Sequence, residues 1–356
     1  MCDEVMRRIF ATHSEFRGGQ IRLAKKCALN GKGRVEAIWR SSYVECVIVA
    51  EALENTTAPS ETPLKIKKLA AQRPILSPET AFGCPREFLR NRFVYVVVSP
   101  RARGLSVGVN MNPDRQCNFN CVYCEVRRDA PVVYATLDVD AMEVELKETL
   151  AFVRAGRLRE VQAYRGLSDE LLQLRHVALS GDGEPTLSPT FTEALQAVVH
   201  VRALSEPPFF KLVLITNGTG LDLRHVQQGL ESFTKSDEVW IKLDGGTRAY
   251  VNKVNQTDVP LERILANIVL TGRKRPVIIQ SLFPAIRGEE PPDEEIDQYA
   301  QQLLALKAAG TQISLVQIYS ATRPVTNPDC GHLKLKVLSR IAQTVRLTTG
   351  LKAEVF

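Results

Sequence analysis

Three cysteines fall within eight residues of this 356-residue chain, in the run Cys117-Asn118-Phe119-Asn120-Cys121-Val122-Tyr123-Cys124. Thiolates at this density hold soft or borderline metals, as iron–sulfur clusters or as zinc. Three donors are one short of the four that close a structural site, so the spacing C-x3-C-x2-C reads as a metal centre with one position open to a ligand from outside the protein. An open position marks a catalytic metal. A zinc knuckle that borrows a distant fourth donor is the competing reading of the cysteines alone.

Other residues with chemical potential follow at intervals. In Ser180-Gly181-Asp182-Gly183-Glu184-Pro185-Thr186, two glycines let backbone come close to a ligand, and Glu184 offers an acceptor for an ammonium. Asn217 offers hydrogen bonds to a sugar or a carboxylate, or simply opens an Asn-Gly turn with Gly218. In Trp240-Ile241-Lys242-Leu243-Asp244-Gly245-Gly246, alternation puts Lys242 and Asp244 on one face, where they bind a ligand or pair with each other. Gln280 and Gln317 interrupt apolar runs and are expected to face a cavity. Arg323 is either a contact for an anionic group or a surface residue, and Cys330 and His332 are either metal ligands or, as lone loop residues more often are, ordinary positions.

The elements that must position these residues are legible as alternating runs. Six apolar, β-branched stretches, Leu105–Val109, His176–Ser180, Lys211–Thr216, Glu238–Leu243, Val277–Leu282 and Ile313–Tyr319, have the length and composition of parallel strands buried on both faces. Between them, helical periodicity runs over about 138–155, 190–203, 222–233, 260–273, 293–309 and 333–348. Six βα units predict an α/β fold with a parallel sheet, curved into part or all of a barrel or left open and doubly wound. In either case the chemistry belongs at the carboxyl ends of the strands, where the residues named above fall.

The cysteine spacing resembles that of the radical S-adenosylmethionine (SAM) enzymes. The stretches Ser106–Asn110, Ser180–Thr186, Lys242–Gly246 and Val316–Tyr319 are similar to those of an uncharacterised Fe–S oxidoreductase branch related to the tRNA wyosine-forming enzymes. The resemblance implies a partial (β/α)6 TIM-like barrel over residues 91–356, with a 4Fe–4S cluster on Cys117, Cys121 and Cys124 and SAM on the fourth iron. It implies cofactor contacts at Gly181, Asp182, Gly183 and Glu184, with Asp182 a departure from the usual Gly-Gly-Glu-Pro. It extends them to Asn217, Lys242, Asp244 and Gln280, to Tyr123 against the adenine, and to Ile318 and Tyr319 on the last strand. Asn118 and Asn120 become candidate donors to the cluster sulfurs. A one-electron reductant such as a flavodoxin or ferredoxin is implied as a partner. The alternative is a zinc- or cluster-binding module without catalysis.

Bulk properties add bounds. Hydrophobic residues make up 44 % and charged residues 24 %, as in ordinary globular proteins. No apolar run is long enough to span a membrane, the start lacks a secretory signal, and eight cysteines without one favour a reducing, cytoplasmic setting. The net charge of +6 is uneven: residues 1–90 carry 15 Lys and Arg against 10 Asp and Glu. That segment, a basic N-terminal extension with a turn-rich linker at Glu54–Pro63, points weakly toward tRNA through residues such as Arg7, Arg8, Arg17, Arg22, Lys25 and Lys26.

Overall fold

The computed structural model describes residues 20–22, 34–40, 45–51 and 65–69 as backbone, and residues 81–82, 88–205, 210–323 and 325–356 in full. The chain divides into two units, Met1–Pro78 and Glu79–Phe356. In the first, β1 (Gln20–Arg22), β2 (Arg34–Arg40), β3 (Glu45–Glu51) and β4 (Lys65–Leu69) form an antiparallel sheet in chain order. The linker at Glu54–Pro63 and the basic residues Arg7, Arg8, Arg17, Lys25 and Lys26 lie outside the described residues.

The second unit opens with β5 (Val94–Ser99), which turns back antiparallel on β6 (Gly104–Asn110). Helix α1 (Val139–Arg154) leads to β7 (Leu174–Ser180), α2 (Phe191–Leu204) to β8 (Lys211–Thr216), and α3 (Arg224–Leu230) to β9 (Glu238–Lys242). Then α4 (Arg248–Asn255) and α5 (Leu261–Gly272) precede β10 (Val277–Leu282). The two-residue β11 (Ala285–Ile286) and α6 (Asp293–Ala308) precede β12 (Ile313–Tyr319). Finally β13 (Cys330–Gly331) pairs with β11, and α7 (Leu335–Thr349) delivers β14 (Ala353–Val355). The sheet order is β14-β12-β10-β9-β8-β7-β6-β5, parallel throughout except for β5. All six expected strands are present, within a partial TIM-like barrel that carries one further strand at each edge.

Strand alternation gives this sheet two dissimilar faces. Outward residues such as Val177, Leu214, Ile241, Ile279 and Ile318 are fully buried beneath the helices. On α1, Met142, Leu146, Leu150 and Val153 fall at helical spacing and fill that layer. Asp138 caps the helix by accepting from Ala141 N at 3.0 Å. The lumen face holds a separate apolar floor of Ala178, Val213, Trp240 and Ile278. The two sheet edges approach each other through the β5–β6 turn: Arg103 Nη2 donates to Glu354 Oε2 of β14 at 2.6 Å, and the Arg101 guanidinium lies 4.2 Å from the centroid of the Tyr319 ring.

Candidate active site

The three cysteines occupy the loop that leaves the carboxyl end of β6. Phe119, Val122 and Tyr123, interleaved with them, are 4–7 % exposed and anchor the loop in the core. Its backbone is pinned from two sides. Asn120 N and Val122 N donate to Asn255 O and Val254 O at the end of α4, at 2.9 and 2.8 Å. The Arg128 guanidinium donates to the carbonyls of Cys117 and Phe119. All three thiols are free and part-exposed. Among the described residues no three His, Cys, Asp or Glu side chains form a site for a single metal ion. A zinc site needs ligands that converge on one centre, whereas a cubane takes each thiolate at its own iron. Three soft, free thiols on one loop are donors that such a cluster can take.

Burial pushes Cys121 up to about 11, against the opposing pull of the Lys242 ammonium, and burial likewise raises Cys117. Iron binding displaces those protons. Polar donors stand ready for the sulfurs: Phe119 N is 3.4 Å from Cys117 Sγ, Asn217 Nδ2 is 3.9 Å from the same atom, and Asn255 Nδ2 is 3.3 Å from Cys121 Sγ. The expected donors are placed elsewhere. Asn118 Nδ2 donates to Thr219 Oγ1 and Asn120 Nδ2 to Gln256 Oε1, both at 2.8 Å, because these side chains point off the loop toward β8 and α4.

The Gly181–Glu184 turn after β7 packs directly on the cysteine loop. Glu184 N donates to Gln116 O at 3.1 Å. A Cβ on Gly183 would sit 1.8 Å from that same carbonyl, so only glycine permits the contact. Gly181, at φ +151°, lets Asp182 N reach Asn110 Oδ1 at 2.9 Å while Asn110 Nδ2 returns a bond to Asp182 Oδ2 at 2.9 Å. Glu184 is 2 % exposed, and burial raises its pKa against the donors around it. Its Oε1 accepts from Thr186 N and from the hydroxyls of Thr186 and Thr216, and Oε2 accepts from Asn217 N at 2.6 Å. The carboxylate therefore braces the ends of β7 and β8, and Oε2 keeps the capacity to take a further donor.

Across the lumen, Lys242, Gln280 and Gln317 stand in one register row on β9, β10 and β12, with Gln280 Nε2 donating to Gln317 Oε1 at 2.9 Å. Lys242 Nζ donates to Tyr123 Oη at 3.2 Å and lies 4.6 Å from the ring centroid. Burial alone would disfavour the ammonium, but Tyr319, Asp244 and Cys121 outweigh it and hold the pKa above its usual value. Tyr123 in turn donates to Asp244 Oδ2, and burial together with that carboxylate keeps the phenol protonated. Asp244 also accepts from Leu282 N and Asn255 Nδ2, each at 2.8 Å. Tyr319 joins this face. Ile318 does not: alternation turns it to the other side of β12, where it is fully buried under the helices. Arg323 pairs with Glu125 at 3.3 Å.

Asn255 is the residue that sequence inspection missed. Its amide nitrogen reaches Cys121 Sγ, Tyr123 Oη and Asp244 Oδ2, joining the cysteine loop to the end of β9. The available signal was its position: Tyr250, Val251, Val254 and Asn255 form the buried stripe of α4, and an asparagine on such a stripe needs internal partners.

An open parallel barrel, with a three-thiol loop at the carboxyl end of its first parallel strand and a glycine-rich turn seated on that loop, defines a class of metal-dependent α/β protein. The sequence model of the radical SAM superfamily matches residues 111–310, more than half of the chain, and the chain belongs to that superfamily. The superfamily works with a 4Fe–4S cluster and SAM. Among curated proteins, a UPF0026 protein of Helicobacter pylori is 30 % identical over 145 residues, 39 % of each chain. A UPF0026 protein of Synechocystis is 26 % identical over 247 residues, 65 % of this chain and 76 % of that one. The match to the Helicobacter relatives thus spans well under half of their length. Among solved structures, TYW1 with a lysine–pyruvate adduct bound is similar with a TM-score of 0.48 and 16 % identity, over 74 % of this chain and 86 % of that one. Archaeal TYW1 gives a TM-score of 0.43 and 14 % identity over 73 % and 85 %. Among the described residues no helix is long and apolar enough to cross a membrane.

Proposed function

We propose that this protein is a radical SAM enzyme whose site residues are Cys117, Cys121 and Cys124 for the cluster, with Gly181, Asp182, Gly183, Glu184, Asn217, Tyr123, Lys242, Asp244, Gln280 and Tyr319 around SAM. The observation that carries the reading is the junction of two loops: the free-thiol loop after β6 is locked to the Gly181–Glu184 turn by Gln116 O, at a distance only Gly183 allows. When bound and reduced, the cluster supplies the electron that cleaves SAM to methionine and a 5′-deoxyadenosyl radical, which takes hydrogen from a substrate.

The chain's own groups have separable tasks. Asn217 and Asn255 stabilise negative charge on the sulfurs. Lys242 is the cation placed for the SAM carboxylate, and Tyr319 and Tyr123 offer aromatic faces to the adenine. Asp244 keeps Tyr123 and Asn255 in place through its two oxygens. The apolar strands of the sheet line one side of the site and help to keep bulk water from the reacting groups. A flavodoxin or ferredoxin in a reducing, cytoplasmic compartment is the reductant proposed.

For the substrate, the basic surplus of residues 1–90 favours RNA. Binding to tRNA would then weaken as salt rises, because phosphate contacts release counterions. The primary test is anaerobic reconstitution with iron and sulfide, reduction with dithionite, and chromatography for 5′-deoxyadenosine. The wild-type chain is expected to form it from SAM and Cys121→Ala to form none. Equal amounts from both would overturn the proposal.

A further inference from the structure

The lumen contains a second cation that the cofactor reading does not use. Arg101, in the β5–β6 turn, lies over the Tyr319 ring at 4.2 Å, and its buried Nε has no hydrogen-bond partner. Among the described residues Arg101 forms neither a hydrogen bond nor an ion pair. The acids of the region are engaged elsewhere. Glu238 accepts from Lys211 at 2.7 Å and from Trp240 Nε1 at 2.8 Å, while Asp244 is held by Tyr123, Asn255 and Leu282 N. Asp182 is tied to Asn110.

Arg101 also faces charge of its own sign. Its field opposes the positive forms of both Lys242 and His176. His176 is 1 % exposed, shares a hydrogen bond of 2.8 Å with Ser106 and meets Trp240 edge to face. Burial, followed by Lys211 and Arg101, pushes it down to about 3, so it remains neutral beside Arg101. Lys242 has Asp244 near it and Tyr123 as a partner, whereas Arg101 has no anion of its own, and a guanidinium with a buried, unpartnered Nε is unfavourable unless a ligand completes it. The space is open: Lys242, Ile215 and Leu315 are part-exposed although each lies within the sheet.

We propose that Arg101 is the receptor for an anionic group of the substrate, a carboxylate or a phosphate, held in the lumen between Tyr319 and the apolar floor. The planar guanidinium matches either group through paired N–H donors. The Tyr319 ring orients it, and Ile215 and Leu315, the part-exposed residues beside that buried floor, offer apolar surface for the body of an organic anion. The inference rests on the radical SAM reading for the meaning of "substrate". It separates Arg101 from Lys242, which neighbours the cysteine loop through Tyr123 and takes the carboxylate of SAM.

The test is calorimetric titration of the full-length, cluster-loaded chain with acetate, inorganic phosphate and neutral acetamide, with and without saturating SAM. At least one anion is expected to bind and acetamide is not, and whichever anion binds identifies the group. Arg101→Gln should weaken that binding by at least about tenfold, and SAM should alter it by less than about twofold. If Arg101→Gln does not fold, Arg101→Lys carries the test: it keeps the charge and loses the planar fork, so the affinity should fall several-fold. Binding that is absent from wild type, unchanged by substitution, or displaced by SAM would overturn the proposal, the last because Arg101 would then hold the cofactor. Failure of wild type to form 5′-deoxyadenosine would instead remove the radical SAM reading and leave the anion titrations readable.

Discussion

Asn255 has one amide nitrogen and three acceptors around it, a sulfur, a phenol oxygen and a carboxylate oxygen. Replacing it with leucine leaves Asp244 and Tyr123 short of a buried donor, which costs about 1–3 kcal/mol. Urea denaturation should show that loss. Potentiometry of the cluster should show a more negative midpoint, because a donor that favours the reduced, more negative sulfurs is gone. His176 gives a second prediction. It is neutral when folded down to about pH 3 but takes a proton at the ordinary imidazole value of 6.5 when unfolded. Its contribution is therefore intact above about pH 6.5. Below that, stability falls by about 1.4 kcal/mol per pH unit as the unfolded state gains the proton, until pH reaches the folded value. The difference in unfolding free energy between wild type and His176→Gln should follow this slope between pH 6 and about 4 and flatten above pH 7. A flat difference throughout would show that His176 is not held neutral.

At the scale of elements, two loops and one helix end build the site, and they meet with no room to spare. Gly183→Ala would place a methyl 1.8 Å from Gln116 O, so the two loops must separate. A loss of about 1–3 kcal/mol is expected, with reduced iron content after reconstitution. Gly166→Ala, with nothing within 4 Å of the new Cβ, is the matched control and should stay within about 0.5 kcal/mol of wild type. Thermal unfolding of the pair reads this directly. The six parallel strands and their helices were visible in the sequence because strands buried on both faces leave continuous β-branched runs. The additions were not. Ala353–Val355 is three residues long, β11 and β13 are two residues each, and α4 is an eight-residue helix whose buried stripe includes an asparagine. The Lys242 and Asp244 alternation was legible and correctly put both on one face. The same alternation separates Ile318 from Tyr319, and the family resemblance had nominated both. Asn255 escaped because its partner Cys121 is 134 residues away, a distance that no local pattern encodes.

At the scale of the whole molecule, every residue assigned to the site lies in the unit Glu79–Phe356, at the carboxyl end of a parallel sheet or on its lumen face. A match over residues 111–310 therefore takes in the cysteine loop, the glycine-rich turn, Lys242 and Gln280, while Gln317, Tyr319 and Arg101 lie outside it. Superfamily membership therefore speaks for the cofactors, and the proposed anion receptor, Arg101, lies outside the matched residues. In the proposed function three cysteines hold a cluster with one iron left open to SAM. Electron paramagnetic resonance of the dithionite-reduced, reconstituted chain, recorded before and after SAM is added, tests it most directly. A 4Fe–4S signal is expected that changes when SAM coordinates the open iron, is absent in Cys117→Ala, Cys121→Ala and Cys124→Ala, and survives in Cys330→Ala. A signal indifferent to SAM, or one that persists without Cys121, would contradict it.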